Sequence, residues 1–449
     1  MPRYTSYPTA PHFQTGIGET LGAESYATLD PTMPVSVYVH IPFCDKLCWF
    51  CGCNTKHTLR YEPIESYIDS LIHEIKLLGA ALPKDDQGQK LPVAHLHFGG
   101  GSPSMIRAKD AARLGKALRG TFSFADGKEN KTEISIEIDP TDVIQNQSEA
   151  MDAFAHLGMT RASIGVQDFD PIVQKAINRP QSFEDTTAVV ELLRGAGIHS
   201  LNIDALYGLP HQTLSRVRKT IDQVISLEPD RVALFGYAHV PWVKKHQNMI
   251  AKDTLPGTAE RLDQAGAAAM ELEAAGYQTI GIDHFAKPTD TLSQAAQDGS
   301  LRRNFQGYTT DTCDTLIGLG ASSIGKSQHG FIQNCVSTHA YKDKVANGNL
   351  PFDKGYRLTQ DDIIRAYMIE QLMCHLRVSF EALTQRFGAA ATPYIAELKR
   401  VGTARTFDTV DCSDTEFSVQ ISGRAYVRLI AAQFDAYLPQ SNFRFSKAV

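Results

Sequence analysis

The segment Val35-Ser-Val-Tyr38-Val-His40-Ile-Pro-Phe-Cys44-Asp-Lys-Leu-Cys48-Trp-Phe-Cys51-Gly-Cys53 reads as a strand that runs straight into a loop of thiols. Val35, Val37 and Val39 alternate with Ser36, Tyr38 and His40, the period of two that a half-buried strand requires. The cysteines follow at a spacing of C-x3-C-x2-C-x-C. Zinc sites usually present two separated pairs, and no second pair follows here. One compact run of thiolates suits a cubane iron–sulfur cluster wrapped by a single segment. Soft thiolates accept either metal, so ligand type alone does not decide. His57, the one histidine nearby, reads as a loop residue and not as a ligand.

Working outward, Ile64, Tyr67, Ile68, Leu71, Ile72, Ile75 and Leu78 recur at helical spacing. A strand over 93–98 ends in Gly99-Gly100-Gly101. Further strands are expected over 133–138, 161–166, 201–206, 231–237 and 278–282, most of them separated by helical stretches such as 186–196 and 258–275. Strands alternating with helices pair in parallel, which gives an α/β barrel or a doubly wound sheet. Before residue 34 the chain is rich in Pro, Thr, Gly and aromatics without a sustained period, an irregular arm. From residue 353 the rhythm changes to a small, mainly helical module. Its first helix is capped by Thr359 and runs through Ile364, Tyr367, Met368, Leu372 and Met373. The expected division is therefore an arm over 1–33, a catalytic domain over 34–352 and a C-terminal domain over 353–449.

At 449 residues the chain can bury a substantial core, and its 43% hydrophobic and 21% charged content is that of a soluble globular protein. A formal net charge of −6 argues against general nucleic-acid or anionic-membrane binding. The start lacks the apolar core of a signal peptide, and no apolar run approaches membrane-spanning length. Four of the eight cysteines fall between positions 44 and 53, which is not a disulfide framework. A cytoplasmic enzyme, off the membrane, is the expectation. Cys313, Cys335, Cys374 and Cys412 are scattered and read as buried structural thiols.

In barrels of alternating strands and helices, function collects where the strands end. The cysteines follow the first strand and Gly99 to Ser102 the second. The third ends in Glu137 and Asp139, the fourth in Gln167 and Asp168, the fifth carries Asp204 and Tyr207, and the sixth Tyr237, Ala238 and His239. Caps and turns account for Asp139-Pro140 and Gly208-Leu-Pro210, but not for four cysteines.

The C-x3-C-x2-C core resembles the signature of the radical S-adenosylmethionine (SAM) superfamily. That resemblance implies that Cys44, Cys48 and Cys51 hold three irons of a 4Fe–4S cluster, with the fourth iron open to SAM and Cys53 outside the ligand set. Gly99-Gly100-Gly101 resembles the family's glycine stretch beneath the methionine moiety. The wider pattern comprises Pro2-Arg-Tyr4-Thr-Ser-Tyr7-Pro, Tyr38-Val-His40-Ile-Pro-Phe43-Cys44, His97-Phe-Gly-Gly-Gly101-Ser-Pro103 and Glu137-Ile-Asp139-Pro140. It continues with Gly165-Val-Gln167-Asp168-Phe169, Asn202-Ile-Asp204, Tyr207-Gly-Leu-Pro210, Tyr237-Ala-His239 and Arg303-Asn-Phe305-Gln306-Gly-Tyr308-Thr309. Together these are similar to the oxygen-independent coproporphyrinogen III oxidases. The fourth cysteine, the Pro-Arg-Tyr arm and the Asn-Phe-Gln-Gly-Tyr stretch set that family apart from related haem carriers.

The family resemblance implies a partial (β/α)6 TIM-like barrel and oxidative decarboxylation of two propionates of coproporphyrinogen III to vinyl groups, a step of haem synthesis. It implies two SAM molecules side by side. Tyr38, Gly100, Glu137 and Ile324 would line the first; Phe50, Gly101, Ser102, Gln167, Arg179, Asp204 and Ala238 the second. Glu137 and Cys53 fall to the catalytic machinery, with Phe305 and Gln306 on the substrate side. An electron donor such as flavodoxin or ferredoxin and a monomeric state complete the set. Arg3, Arg302, Arg303 and Lys326 are candidate partners for propionates, each equally readable as a surface charge. The aperiodic arm, with Tyr4 and Tyr7, is a candidate lid. The alternatives are a haem-binding chaperone, another tetrapyrrole-directed radical enzyme, and a zinc-stabilised α/β protein.

Overall fold

The computed structural model describes residues 3–127, 131–404 and 406–440, so Pro2 of the arm motif lies outside the described residues. The chain forms two compact units that are not contiguous in sequence. The larger holds Phe13–Glu271 and Cys313–Arg357; the smaller holds the residues up to His12, Leu272–Thr312 and those from Leu358 onward.

The larger unit is built on the expected strands. They are β1 (Val35–Ile41), β2 (Pro92–Gly100), β3 (Glu133–Ile138), β4 (Arg161–Gln167), β5 (Ser200–Tyr207) and β6 (Arg231–Gly236). Each pairs in parallel with the next. A seventh parallel strand, β7 (Leu316–Leu319), pairs with the outer side of β1. Antiparallel β8 (Ile324–Ser327), β9 (Gly330–Asn334) and β10 (Phe352–Arg357) extend that edge. The order in this unit is thus β10-β9-β8-β7-β1-β2-β3-β4-β5-β6. Crossovers through helices such as Glu62–Ala81, Ala108–Thr121, Phe183–Gly195 and Leu214–Ser226 account for the sequential order. The Glu62–Ala81 helix buries Ile64, Tyr67, Ile68, Leu71, Ile75 and Leu78, and also Glu74.

Three features depart from the sequence expectation. The segment 1–33 is not irregular throughout: Gly18–Ala27 is helical. Its buried positions are Leu21 and Tyr26 with Gly18, Gly22 and Ser25, small residues that leave no apolar period to read. A Cβ on Gly22 would lie 2.4 Å from the Phe352 ring, so the close approach of helix and β10 requires glycine there. The strand expected over 278–282 is Gln278–Ile280, folded back antiparallel on His284–Ala286 in the smaller unit. The lid expectation fails for Tyr4 and Tyr7. Both are buried in the core of the smaller unit, where the Tyr4 hydroxyl donates to Asp435 (3.0 Å) and the Tyr7 hydroxyl accepts from the Ala436 N–H (3.0 Å).

The smaller unit has the expected helix, Gln360–His375, with a capping box between Thr359 and Asp362. It also contains a three-stranded antiparallel sheet of Arg377–Ser379, Glu416–Val419 and Val410–Cys412. Cys335 and Cys374 are buried, whereas Cys313 and Cys412 are only half-buried. Among the described residues no helix is long and apolar enough to cross a membrane.

Candidate active site

On β3, Ile134, Ile136 and Ile138 are buried while Glu133, Ser135 and Glu137 are half-buried. The register lines those polar positions up with others of the same parity. Tyr38 pairs with His97, His95 with Glu133, His97 with Ser135, Glu137 with Ser163, and Ser163 with Asn202. A parallel sheet covered by helices is normally apolar on both faces, so a polar stripe across five strands marks a working interior. Its members bond to one another. His97 lies 2.5 Å from Ser135 Oγ and 3.3 Å from Glu137 Oε1, and the Tyr38 ring stacks on His97. Asn202 donates to Ser163 Oγ (2.9 Å) and Asp204 Oδ1 (2.7 Å), and Ser163 donates to Asp204 Oδ2 (3.2 Å).

Glycines close the top of β2. Gly100 adopts φ +113°, and its N–H donates to Glu137 Oε2 (3.0 Å). A Cβ would lie 2.4 Å from the His40 ring at Gly100, 2.8 Å from Glu137 Oε1 at Gly99, and 2.5 Å from the Phe43 carbonyl oxygen at Gly101. Burial opposes charge on Glu137, but His97, the Gly100 N–H and His40 outweigh it and hold the carboxyl below its ordinary range. Next in the chain, the buried Ser102 hydroxyl is committed to Asp142 and Ser104. Burial, reinforced by Asp139, pushes Asp142 up to about 7 against the hydrogen bonds from Ser102 and Ser104.

The cysteine loop is gripped from two sides. The Trp49 N–H donates to the Ile177 carbonyl (2.9 Å) and Asn178 Nδ2 to the Leu47 carbonyl (3.0 Å). Arg179 donates to Cys48 Sγ (3.5 Å) and to the Gly165 carbonyl (2.6 Å) and pairs with Asp139 (3.0 Å). From the other side, Gln247 donates to the carbonyls of Phe50 (2.9 Å) and Ala238 (3.3 Å), and Lys244 to that of Cys53 (2.8 Å). Cys53 is exposed, and its N–H donates to Cys51 Sγ (3.4 Å). His57 is exposed in a short strand, Lys56–His57, that pairs with Phe43–Cys44. Gln167 ends β4 at φ +70° in a tight turn closed by the Asp168 N–H on the Val166 carbonyl (2.9 Å).

Known proteins resemble this chain in both sequence and fold. The Radical SAM superfamily model matches residues 38–224. An oxygen-independent coproporphyrinogen III oxidase of Cereibacter sphaeroides is 44% identical, the match covering 100% of this chain and 96% of the relative. That of Pseudomonas aeruginosa is 39% identical over 100% and 96%. The solved coproporphyrinogen III oxidase of Escherichia coli, described as a radical SAM enzyme, superposes with a TM-score of 0.89 at 37% identity over 97% of both chains. This chain belongs to the oxygen-independent coproporphyrinogen III oxidase family.

Membership of the radical SAM superfamily implies a 4Fe–4S cluster and SAM, and the residues present fit both. Cys44, Cys48 and Cys51 sit on one loop whose backbone is held from outside, leaving the thiols to serve as ligands. Among the described residues no three Cys, His, Asp or Glu groups converge on a single ion, and ligands to three separate irons need no such point. The glycine backbone at 99–101 forms a cradle that any Cβ would fill. Arg179 Nε is buried without a partner, a donor suited to a carboxylate.

The other expected residues are distributed over both units of this coproporphyrinogen oxidase fold. Ile324 opens β8 against Gly318, which pairs with Tyr38. The first proposed group thus occupies β8, β1, β2 and β3, and the second the cysteine loop and the ends of β2, β4, β5 and β6 with the Arg179 loop. Phe305 and Gln306 belong to the smaller unit, between the paired strands Arg302–Asn304 and Gly307–Thr309. Arg303 is no surface charge: its side chain is 2% exposed, lies over the Tyr308 ring and faces Asp283 at 3.8 Å. Arg302 pairs with Glu370 at 3.1 Å. His97, Asp142, Ser163 and Asn202 receive no role from the sequence, although His97 and Asn202 open motifs quoted there. Polar residues of one parity in successive parallel strands are the signal that marks three of them.

Proposed function

We propose that this protein decarboxylates two propionates of coproporphyrinogen III to vinyl groups without oxygen, giving protoporphyrinogen IX. The supporting observation is the convergence of the Cys44–Cys51 loop, the Gly99–Gly101 cradle and Glu137 at one rim of strand ends, in a chain matched end to end by relatives named for this reaction. When bound, the cluster and SAM would supply the abstraction of a hydrogen atom from a propionate β-carbon; loss of CO2 with transfer of one electron to a one-electron acceptor then leaves the vinyl group. Cys44, Cys48 and Cys51 hold the cluster, and Cys53, exposed beside them, serves the catalytic side. Glu137 presents a charged carboxylate that accepts from ribose hydroxyls and offsets a sulfonium. Arg179 turns its buried Nε toward a carboxylate while Asp139 keeps the guanidinium in place.

Two SAM molecules are the reading that the two residue groups support. Tyr38, Gly100, Glu137 and Ile324 take one; Phe50, Gly101, Ser102, Gln167, Arg179, Asp204 and Ala238 take the other. Ser102 contributes through its backbone and through Asp142, since its hydroxyl is engaged there. Phe305 and Gln306 serve the substrate. A flavodoxin- or ferredoxin-type donor, a monomeric state and a cytoplasmic location belong to the same reading. No specific observation favours a haem carrier.

Anaerobic turnover of the cluster-loaded protein with coproporphyrinogen III, SAM and dithionite tests this. CO2, 5′-deoxyadenosine and a divinyl product are expected, all lost in Cys44→Ser together with the brown colour. Formation of 5′-deoxyadenosine without a vinyl product would reject the substrate.

A further inference from the structure

The solvent side of the cysteine loop has a charge unlike that of the whole chain. Two segments flank it, 54–60 and 239–252. They carry Lys56, Arg60, Lys244, Lys245, Lys252 and three histidines, and no Asp or Glu, in a chain of net charge −6. Both are fastened to the loop itself. The Lys56 N–H donates to the Pro42 carbonyl (2.7 Å). Lys244 Nζ donates to the Cys53 carbonyl (2.8 Å), and His246 Nε2 lies 2.8 Å from the Cys51 carbonyl. Asp253 follows the second segment, and Asp45 sits half-buried within the loop.

Large apolar side chains stand in solvent inside this basic field. Leu59 is 82% exposed, Val243 63%, Met249 61% and Trp242 41%. Lys245 and Lys252 are exposed beside them. Isolated exposed apolar residues need no explanation, but several on two basic segments that flank one loop have the composition of a transient protein interface. The sign of the charge selects the partner, because complementary charge steers encounter and rejects like-charged surfaces.

We propose that this surface docks a small acidic one-electron carrier, a reduced flavin or iron–sulfur protein, which passes its electron to the cluster held by Cys44, Cys48 and Cys51. The proposal rests on the reading of those cysteines as cluster ligands. The carrier is oxidised by one electron, the cluster is reduced by one, and no proton or group moves. Lys244 and His246 bond the carbonyls of Cys53 and Cys51, so a carrier seated on this segment is joined to the thiol loop by single side chains.

The test uses full-length, cluster-loaded protein without coproporphyrinogen and reads one-electron reduction of the cluster by electron paramagnetic resonance, so that docking and the substrate assignment fail separately. Reduced flavodoxin is one donor and dithionite the other. In the double variant Lys245→Glu/Lys252→Glu, the half-saturating flavodoxin concentration should rise about tenfold or more at low salt, with the gap closing as salt is added. Val243→Ser should raise it at low and high salt alike. The dithionite-driven rate should match the parent in both. An unchanged flavodoxin dependence would overturn the proposal. So would equal slowing with both donors, because a docking surface must spare chemical reduction. Titration of flavodoxin onto each variant gives the same answer from binding alone.

Discussion

The N–H of Gly100 donates to Oε2 of Glu137 across 3.0 Å, tying the end of β2 to the end of β3. The bond exists because Gly100 holds φ +113°, where a Cβ would also press to 2.4 Å from the His40 imidazole. Gly100→Ala should therefore cost about 1–3 kcal/mol of stability and weaken SAM binding at least tenfold. Gly120→Ala is the control: it lies in the Ala108–Thr121 helix with nothing near its Cβ, and should be neutral or stabilising by up to about 1 kcal/mol. Urea denaturation and equilibrium dialysis with SAM measure the two effects.

A buried carboxylate anchors the tight turn at Gln167. Asp168 accepts from the Asp170 N–H (2.6 Å), Gln212 Nε2 (2.6 Å) and Thr220 Oγ1 (3.1 Å). Gln212 in turn donates to the Leu206 carbonyl and accepts from the Leu209 N–H, so the ends of β4 and β5 are linked through Asp168. Asp168→Ala strands these donors and should destabilise by about 2–4 kcal/mol. Asp168→Asn keeps the shape and an acceptor and should recover part of it. If turn geometry matters to the site, KM for SAM should rise in Asp168→Asn while kcat stays near the parent.

Regular period makes the strand ends legible in the sequence. The Glu133–Ile138 alternation places Glu137 on the polar side, and the spacing of Ile64 to Leu78 places the first long helix. What escapes lacks a local signal. β7 runs through Leu316-Ile-Gly-Leu, where Gly318 breaks any alternation and pairing with β1 and β8 makes it a strand. The helix at Gly18–Ala27 hides because glycine and serine fill its buried face. Tyr4 and Tyr7 take their place from partners more than 400 positions away, which no local window contains. Family resemblance places Ser102 beside SAM without showing that Asp142, forty residues on, holds its hydroxyl.

Arg179 is placed to tell guanidinium from ammonium. It spans Asp139, the Gly165 carbonyl and Cys48 Sγ at once, which needs several donors in one plane. Burial alone would favour losing its proton, but Asp139 and Cys48 more than offset that and keep it charged. Arg179→Lys should hold the charge but lose the fork. Iron and labile sulfide per chain should stay near the parent while SAM affinity falls about tenfold or more. Loss of iron in step with SAM binding would place Arg179 in the support of the cysteine loop instead.

Glu74 gives the larger unit a pH dependence of definite sign. It is buried on the Glu62–Ala81 helix, and desolvation pushes its carboxyl from 4.5 up to about 7, against bonds from the Tyr341 hydroxyl (2.5 Å), the Gly320 N–H (2.8 Å) and Asn334 Nδ2 (2.7 Å). The folded chain thus keeps a proton that the unfolded chain releases near pH 4.5. The contribution to stability is full below that pH, declines as pH rises, and is gone above about 7. The slope within the window is at most about 1.4 kcal/mol per pH unit. Glu74→Gln cannot titrate, and its amide N–H groups face donors, so it should be less stable than the parent at pH 5. That gap should narrow steadily between pH 5 and pH 8 in chemical denaturation. A gap of constant size would mean that Glu74 is already ionised at pH 5, with the three donors outweighing burial.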